Sequence, residues 1–252
     1  MKISVSVIGF NDAADLARCL ASVSWADEVV YVDCGSTDGS MEIALRFNAR
    51  IFKQPNDFNI NVNKQFGLDQ CSGDWTLYLD PDEEIPALLA QELKVLPETG
   101  GFSAFNLPRK NFYFGRWLKY GGKYPDQQLR FFKKGEAFFP CKSIHEKLSV
   151  AGKVGRTVNA FNHYPYKGVD DLLKKMGSYS SRKSAEYRRS GKLPGPVRPF
   201  RRFLVNYFLK RGFLDGLEGL IAALTEVMDG FLPLLKYSEE NAGGSDRARV
   251  GP

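Results

Sequence analysis

The sequence predicts an α/β fold with a mostly parallel sheet, followed by a helical and basic appendage. Short runs of apolar, β-branched residues alternate with segments of helical spacing between residues 3 and 79. Each crossover between parallel strands needs a long connection of this kind. Polar clusters follow the second and the fourth apolar runs, and parallel sheets bind their ligands beyond such strand ends. The pattern and the chemistry therefore indicate the same fold class.

The individual elements follow from this alternation. Strands are predicted over residues 3–8, 28–32, 50–52 and 75–79, and helices over residues 13–23, 41–47 and 59–70. Shorter strands and aromatic loops are expected from residue 101 to 166. Asn11 or Asp12 is expected to cap the first helix, and Ser40 the second.

The C-terminal part differs in composition. Residues 182–211 contain ten lysines and arginines and one acid, Glu186. Residues 213–235 have a helical apolar face that consists of Leu217, Ile221, Leu224, Met228 and Phe231. We therefore divide the chain into a first domain over 1–168, a helical region over 169–240 and a flexible tail over 241–252, where glycine and serine leave little to bury.

Charge and cysteine content limit the partners and the compartment. The 252 residues carry a net charge of +6, which favours anionic partners without choosing among nucleic acid, phosphates and anionic lipid. The four cysteines are scattered and form no metal-binding pair, as expected of reduced thiols. The sequence runs directly into its first strand, and it contains no apolar stretch of membrane-spanning length. These features predict a cytoplasmic location.

The first candidate site is the acidic cluster Asp80-Pro81-Asp82-Glu83-Glu84 at the end of the fourth strand. Carboxylates this close repel one another, and a divalent cation would offset the repulsion. Hard oxygen ligands suit Mg²⁺ or Mn²⁺, which also neutralise a diphosphate leaving group. The alternative is that the acids only favour the start of a helix at Pro86.

The second candidate site is the loop Asp33-Cys34-Gly35-Ser36-Thr37-Asp38-Gly39-Ser40. Its small residues let the backbone approach a ligand closely, and an acid at a strand end can accept hydrogen bonds from a base or a ribose. The alternative is a plain turn between a strand and a helix. The loop matches neither the P-loop nor the dinucleotide-binding glycine pattern, which disfavours those two classes.

Taken together, these residues resemble the family 2 glycosyltransferases over roughly residues 1–90. The resemblance consists of three linked motifs in the same order and spacing. They are Val5-Ser6-Val7-Ile8-Gly9-Phe10-Asn11-Asp12, the loop from Asp33 to Gly39, and the Asp-x-Asp pair of Asp80 and Asp82. Phe10 replaces the more common Tyr, and Cys34 replaces Asp or Ser, but neither change removes one of these carboxylates.

The resemblance implies a GT-A fold with a Rossmann-like sheet and inversion at the anomeric carbon. It implies that Asp33 contacts the nucleobase and that Asp82 holds Mg²⁺ or Mn²⁺ on the diphosphate. Asp80 would support the ribose and the metal site. The remaining donor-binding positions implied are Phe10, Asn11, Gly35 and Ser36.

Inversion also requires a base for the acceptor hydroxyl, and a positioned carboxylate is the usual choice. Glu146 and Asp126 are the two candidates, and we favour Glu146. The segments around both resemble the lipopolysaccharide core glucosyltransferase subgroup. His145 would bind metal or phosphate, or be a core histidine, and Arg130 would steady the diphosphate or pair with a neighbouring acid. His163 is a weaker candidate, supported only by the subgroup resemblance.

The resemblance and the basic C-terminal region together predict the substrates. We expect transfer of a hexose, glucose in that subgroup, from a UDP-sugar to a lipid-linked or lipopolysaccharide core saccharide. Basic residues beside aromatic ones suit an anionic membrane surface, so we expect peripheral binding at the inner face of the inner membrane. The alternative is an ordinary solvated helix face. No nucleic-acid-binding motif is present.

Two other classes of function remain as alternatives. A nucleotidyltransferase or an Asp-x-Asp phosphatase would also place carboxylates at a strand end. The first usually has a basic loop after its first strand, where this chain has Gly9-Phe10-Asn11-Asp12, and the second has its pair after the first strand. A basic module that binds RNA or membrane explains the charge but gives the acidic cluster no purpose.

Overall fold

The computed structural model describes residues 1–57, 59–142 and 146–247. The described chain divides into two compact units. The first contains Met1–Lys110 and Pro125–His163, and the second contains Asn111–Tyr124 and the residues from Tyr164 onward. Residues 111–124 thus group with the C-terminal helices, which a single boundary after residue 168 does not anticipate. The two units are described separately below.

The first unit begins with strands and helices that lie within one or two residues of the predicted ones. They are β1 (Ile3–Gly9), α1 (Ala13–Ser22), β2 (Glu28–Asp33), α2 (Ser40–Arg46), β3 (Arg50–Lys53), α3 (Ile60–Gln70) and β4 (Trp75–Leu79). The strands and helices that follow along the chain are β5 (Glu83–Glu84), α4 (Ala87–Val95), β6 (Ala104–Tyr113), β7 (Arg116–Trp117), β8 (Asp126–Lys133), β9 (Ala137–Phe138), β10 (Ser149–Val150), β11 (Val154–Arg156) and β12 (Phe161–Tyr166). Of these, β7 belongs to the second unit, and β6 and β12 have residues in both units. The expectation of only short strands after residue 101 is wrong for β6, which has ten residues.

The strands form a mixed sheet with a parallel half. β3, β2, β1 and β4 lie side by side and are parallel. β8 is antiparallel to β4, and β6 is antiparallel to β8. In the described residues the strand order is β3-β2-β1-β4-β8-β6-β12-β5, and β7 and β11 each pair with β6. This sheet confirms the predicted α/β class.

Helices cover both faces of the parallel half, so β1 is buried along its whole length. Val5 and Val7 face the larger cluster, which includes Leu16 and Leu20 of α1. The alternate residues Ser4 and Ser6 are small and buried on the opposite face. Small serines replace apolar residues on this face because α3 packs closely against it: a side chain at Gly67 would come within 2.5 Å of Ser6 Oγ.

The second unit is mostly helical. It contains α5 (Val169–Ser190), α6 (Arg198–Leu204), a π-helical turn (Val205–Leu209), a 3-10 turn (Gly212–Asp215) and α7 (Gly216–Arg247). Residues 241–247 continue α7, where the sequence predicts a tail. Among the described residues, no helix combines the length and the apolar composition needed to cross a membrane.

Small residues of α7 form its packed face. Ala222 and Ala223 are 2% and 4% exposed, whereas Leu217 and Leu224 are 65% and 47% exposed. Of the predicted apolar stripe, Leu217, Leu224 and Met228 are thus exposed, whereas Ile221 and Phe231 are half-buried. Gly230 explains why small residues are favoured, because a side chain there would come within 2.6 Å of Pro199 on α6. The backbones of α6 and α7 therefore approach so closely here that only a small residue fits between them.

We expect Gly73→Ala to lower the free energy of unfolding by about 1 to 3 kcal/mol, as overpacking does. A Cβ atom at Gly73 would lie 2.8 Å from the backbone nitrogen of Ser4 and 2.9 Å from the backbone oxygen of Lys2. Gly177→Ala is the matched control, because a Cβ there, inside α5, meets nothing within 4 Å. Urea unfolding should show the control to be neutral or stabilised by up to about 1 kcal/mol. Equal effects of the two substitutions would contradict the close approach at Gly73.

Candidate active site

Three parallel strands end at one edge of the sheet, and polar residues follow each of them. Asp33 at the end of β2 pairs with the last residue of β1. Leu79 at the end of β4 pairs with Val7 of β1. Asn11, the loop from Asp33 and the turn from Asp80 therefore leave the sheet beside one another. This is the edge where parallel sheets bind ligands.

The loop after β2 is organised by the carboxylate of Asp33, which is buried. It accepts hydrogen bonds from the backbone N–H groups of Gly35, at 3.2 Å, and Ser36, at 3.2 and 3.3 Å. Gly35 has a φ of 85°, in the region that favours glycine, and a side chain there would meet nothing within 4 Å. The loop therefore presents an uncovered stretch of backbone at this edge.

Asn11 joins this loop to the end of β1. Its Oδ1 accepts the Thr37 N–H at 2.7 Å, and its own N–H donates to Ser36 Oγ at 3.0 Å. Asp12 Oδ2 accepts the N–H of Phe10, a residue that is 45% exposed. Asp12 is the cap residue of α1, as predicted, but its side chain makes no capping hydrogen bond to the helix.

The start of α2 differs from the prediction. Gly39 is the cap residue, and Ser40 is the first residue of the helix. The Ser40 hydroxyl donates to Asp38 Oδ1 at 2.5 Å and accepts the Asp12 N–H at 3.1 Å. Asp38 Oδ2 accepts the Ala13 N–H at 3.0 Å. The two loops are thus cross-linked by short polar side chains.

The acidic turn after β4 does not cap a helix. α4 begins at Ala87 with Pro86 as its cap residue, and Glu83–Glu84 form β5. Glu83 is completely buried, and its Oε2 accepts the Asp80 N–H at 2.9 Å. The capping alternative is therefore wrong, because the two glutamates are paired in a strand before the helix starts.

Arg130 of β8 is the counterion of this turn, and it is 3% exposed. Its Nη2 donates to Asp80 Oδ2 at 3.0 Å and to Glu83 Oε1 at 2.5 Å. Its guanidinium carbon lies 4.2 Å from the ring centroid of Tyr78. Of the two roles that the sequence suggested for Arg130, the structure thus contains the ion pair with neighbouring acids.

The pKa values follow from this burial and pairing. Complete burial raises the pKa of Glu83, and the charge of Arg130 opposes that effect. Burial also disfavours the charged form of Arg130, but the carboxylate of Glu83 outweighs it and raises the pKa of Arg130 above its usual value. Arg130 therefore stays charged at every physiological pH.

Lys64 of α3 is a second cation at Asp80 that the sequence did not reveal. Its Nζ lies 2.9 Å from Asp80 Oδ1 and 5.4 Å from the ring centroid of Tyr78. Burial opposes ionisation of Asp80, but Lys64 and Arg130 outweigh it and hold the pKa of Asp80 well below its usual range. Each oxygen of Asp80 is thus paired with a protein cation. The role of Asp80 as a metal ligand stays a prediction.

Arg109 of β6 links the acidic turn to Asp126. Its Nε and Nη2 lie 2.9 and 2.7 Å from Asp126 Oδ2, and its Nη1 lies 3.7 Å from Glu83 Oε1. Gln128 donates to Asp126 Oδ1 at 2.7 Å. Arg109 and Asp126 are register partners in neighbouring strands. The two residues are 17 positions apart in the sequence, so no local pattern links them, and the pair is recognised only from the register of β6 against β8.

Asp82 lies beside a histidine. His163 Nε2 is 3.7 Å from Asp82 Oδ2. Burial, with the charges of Arg109 and Arg130, lowers the pKa of His163 to about 3. The imidazole is therefore neutral at pH 7, and one ring nitrogen carries a lone pair. His163, the least supported of the candidate site residues, thus lies next to Asp82, the predicted metal ligand.

The chemistry of this pair fits a divalent cation. A carboxylate and a neutral imidazole are ligands of Mn²⁺, and Mg²⁺ accepts few protein ligands beside water and substrate phosphates. In the described part of the chain, no three acidic, histidine or cysteine side chains converge on a common point. A cation at Asp82 and His163 would therefore take its remaining ligands from the substrate and water.

Glu146 follows three residues, 143–145, that lie outside the described chain, so the position of His145 stays a prediction. Glu146 Oε2 accepts the Lys142 N–H at 2.9 Å. The adjoining residue Cys141 has a φ of 57°, and its carbonyl accepts a hydrogen bond from Asn59 at 3.1 Å. Cys141 is thus attached to Asn59 at the start of α3, and Glu146 is bonded to the next residue, Lys142, whereas Asp126 belongs to the arginine cluster.

We expect Arg130→Met to lower the free energy of unfolding by about 3 to 5 kcal/mol, because it removes the nearest counterion of the buried Glu83. Replacing both residues, with Glu83→Leu added, should recover most of the loss, since the fully buried carboxylate is then removed together with its counterion and Asp80 keeps its ion pair with Lys64. Urea unfolding of the two variants measures this. A single variant as stable as the native chain would show that Arg109 alone balances Glu83.

The chain is similar to known proteins over nearly its whole length. The model of the family described as "Glycosyl transferase family 2" matches residues 4–145. The lipopolysaccharide core biosynthesis glycosyltransferase LpsC of Rhizobium meliloti is 26% identical, over 96% of this chain and 94% of LpsC. An uncharacterized glycosyltransferase of Rickettsia felis is 27% identical, over 94% of this chain and 90% of the relative.

Solved structures share the fold. S. aureus TarS 1-349, crystallised in complex with UDP, superposes with a TM-score of 0.53 at 14% identity, over 96% of this chain and 92% of that chain. The complex of the same protein with UDP-GlcNAc gives a TM-score of 0.52. This likeness confirms the predicted GT-A fold. Because the family model matches more than half of the sequence, the chain belongs to glycosyl transferase family 2.

Proposed function

We propose that this protein transfers a hexose from a UDP-sugar to a membrane-associated saccharide, with inversion at the anomeric carbon. The observation that supports this most is the convergence of the Asp33 loop, Asn11 and the Asp80–Asp82 turn at one sheet edge. In a family 2 enzyme, a nucleotide on the loop and its diphosphate at the turn would span this edge. Nucleotidyl transfer, phosphate hydrolysis and simple binding explain this arrangement less well.

The donor proposal uses residues that the fold already holds in place. Asp33 would contact the nucleobase, and the uncovered backbone at Gly35 and Ser36 would approach the nucleoside. The exposed ring of Phe10 and the amide of Asn11 lie in the loops on the same side. TarS, which has the same fold, has been crystallised with UDP and with UDP-GlcNAc, and this supports UDP as the nucleotide.

The metal proposal assigns Mg²⁺ or Mn²⁺ to Asp82 and His163. When bound, such a cation neutralises the charge that builds on the diphosphate as its bond to the sugar breaks. Asp82 would hold the cation, and His163 would contribute a neutral nitrogen. Asp80, paired with Lys64 and Arg130, would support the turn from behind.

The chemical step requires one proton acceptor. The acceptor hydroxyl oxygen forms a bond to the anomeric carbon, the bond from that carbon to the diphosphate breaks, and UDP leaves. The hydroxyl proton passes to a carboxylate, for which we propose Glu146. Asp126 is the weaker candidate because its oxygens already accept hydrogen bonds from Arg109 and Gln128.

The acceptor proposal rests on the relative with a named role. LpsC is a lipopolysaccharide core biosynthesis glycosyltransferase, and the similarity extends over 96% of this chain. We therefore propose a lipopolysaccharide inner-core saccharide as acceptor, and glucose as the sugar. The enzyme would work at the cytoplasmic face of the inner membrane as a peripheral protein.

We expect Asp82→Asn to lower kcat/KM by about 100-fold or more, since a metal ion contributes several kcal/mol to such a step. His163→Gln should weaken Mn²⁺ affinity by about 10- to 100-fold. Thermal melts with UDP, with and without Mn²⁺, measure ligand binding apart from turnover. The free energy of unfolding of the native protein should rise by about 2.7 kcal/mol at a hundredfold excess of ligand over Kd. In Asp82→Asn, addition of Mn²⁺ should not increase the stabilisation by UDP.

Glu42→Gln is the control for these variants, because Glu42 is an exposed acid on α2 in the same unit. It should behave like the native chain in both assays. Full turnover by Asp82→Asn after chelation of metal would contradict the metal proposal, while leaving glycosyl transfer itself intact.

We expect Glu146→Gln to reduce kcat by about 100- to 10,000-fold, as loss of a general base does. Asp126→Asn should reduce it less, and neither variant should change the UDP-dependent thermal shift. Single-turnover assays with saturating donor measure the step directly. A larger loss in Asp126→Asn, with the donor still bound, would transfer the role of base to Asp126.

A further inference from the structure

The second unit leaves large apolar side chains exposed between α6 and the start of α7. Leu209 and Leu217 are 78% and 65% exposed, and the others are 45% to 55% exposed. We call this set the apolar patch; its members are Leu204, Phe208, Leu209, Phe213, Leu214 and Leu217. Six such residues within fourteen positions are more than scattered surface leucines, which are common and need no explanation.

Ring contacts show that the patch is continuous. The rings of Phe203 and Tyr207 are stacked at 5.4 Å between centroids. Tyr207 also contacts Phe208, at 5.1 Å, and Phe213, at 6.2 Å. The segment is therefore folded back on itself, and Tyr207 joins the two exposed rings of the patch, Phe208 and Phe213.

The patch is held in a fixed conformation. Asp215 is 2% exposed and accepts the backbone N–H groups of Lys119 and Tyr120, at 3.1 and 2.8 Å. The Lys210 carbonyl accepts the N–H of Gly121 at 2.9 Å. These bonds attach the segment to residues 111–124 of the same unit, so that the exposure of the patch is built into the fold.

The charge around the patch is positive. Arg201, Lys210 and Arg211 are exposed, and within the described residues none of them makes an ion pair. Asp215 is the one acid in residues 198–217, and it is buried with both oxygens accepting backbone hydrogen bonds. Glu218, the next acid along the chain, lies 3.8 Å from Arg116, so the patch combines unpaired cations with apolar side chains while the adjacent acids are buried or paired.

We propose that the apolar patch binds the surface of an anionic phospholipid membrane. Apolar side chains would enter the boundary of the acyl chains while the cations contact lipid phosphates. A second copy fits less well, since a symmetric contact would bring the same cations face to face. RNA fits less well too, because four of the six side chains are leucines, which do not stack on bases as aromatic rings do.

The purpose of this surface rests on the proposed function, because it would hold the enzyme beside a membrane-bound acceptor saccharide. Membrane binding itself does not require donor, metal or turnover. Vesicle binding therefore tests the surface separately, and its failure would leave the proposed transfer reaction standing.

The experiment uses the full chain and vesicles of phosphatidylcholine, with and without an equal part of phosphatidylglycerol. We expect co-sedimentation with the anionic vesicles, little with the neutral ones, and weaker binding as salt is raised. Phe208→Ser with Leu209→Ser should reduce the partition coefficient at least about tenfold. Arg201→Gln with Lys210→Gln should reduce it about fivefold per charge.

Leu45→Ser with Arg46→Gln is the matched control, because both residues are exposed on α2 of the first unit. It makes one Leu→Ser and one Arg→Gln change in residues that do not belong to the patch, and it should bind as the native chain does. Leu209→Ser alone covers the case in which loss of the Phe208 ring unfolds the segment, since Leu209 is 78% exposed.

Three outcomes would overturn the proposal. The first is equal binding of the native chain and the patch variants to anionic vesicles. The second is no binding to anionic vesicles at low salt. The third is another occupant of the patch: either the native chain sediments as a dimer that the Leu209→Ser substitution dissociates, or it binds single-stranded RNA and the same substitution abolishes that binding while vesicle binding is unaffected.

Discussion

The ion pairs of Arg130 with Asp80 and Glu83 allow an acidic turn to exist at the end of a buried strand. Glu83 is completely inside the protein, where an unpaired carboxylate would be strongly destabilising. Arg130 reaches both acids from the neighbouring strand and lies against the ring of Tyr78. The position of the whole turn, and hence of Asp82, depends on this guanidinium.

The same cluster sets the state of the residue that faces Asp82. Burial and the charges of Arg109 and Arg130 keep His163 neutral, and a neutral imidazole can donate a lone pair to a cation. Asp80 stays ionised, and its negative charge is balanced by the ion pairs with Lys64 and Arg130. One set of protein cations thus balances the charge of Asp80 and keeps the imidazole of His163 neutral beside Asp82. The two acids of the Asp-x-Asp motif are placed in different electrostatic environments.

The loops at the other strand ends are ordered by their own side chains. Asp33 accepts hydrogen bonds from two backbone N–H groups of its loop, and Asn11 and Asp38 bond across to the neighbouring loop. A loop that is already fixed loses less conformational entropy when a ligand binds. In the second unit, small residues of α7 form its packed face, and several larger apolar residues remain at the surface.

The sequence by itself determined the order of strands and helices, the parallel half of the sheet and the edge at which Asn11, Asp33 and Asp80 meet. These features follow from local hydrophobic periodicity and from the general geometry of parallel crossovers. Only the tertiary structure decided that Glu83 is a strand residue, that Lys64 and Arg109 serve the acidic turn, and that His163 lies beside Asp82. It also decided which face of α7 is buried, because this depends on how closely two helix backbones approach. Pairings across strands, and the burial that shifts a pKa, arise from contacts between residues far apart in sequence, and no local pattern contains them.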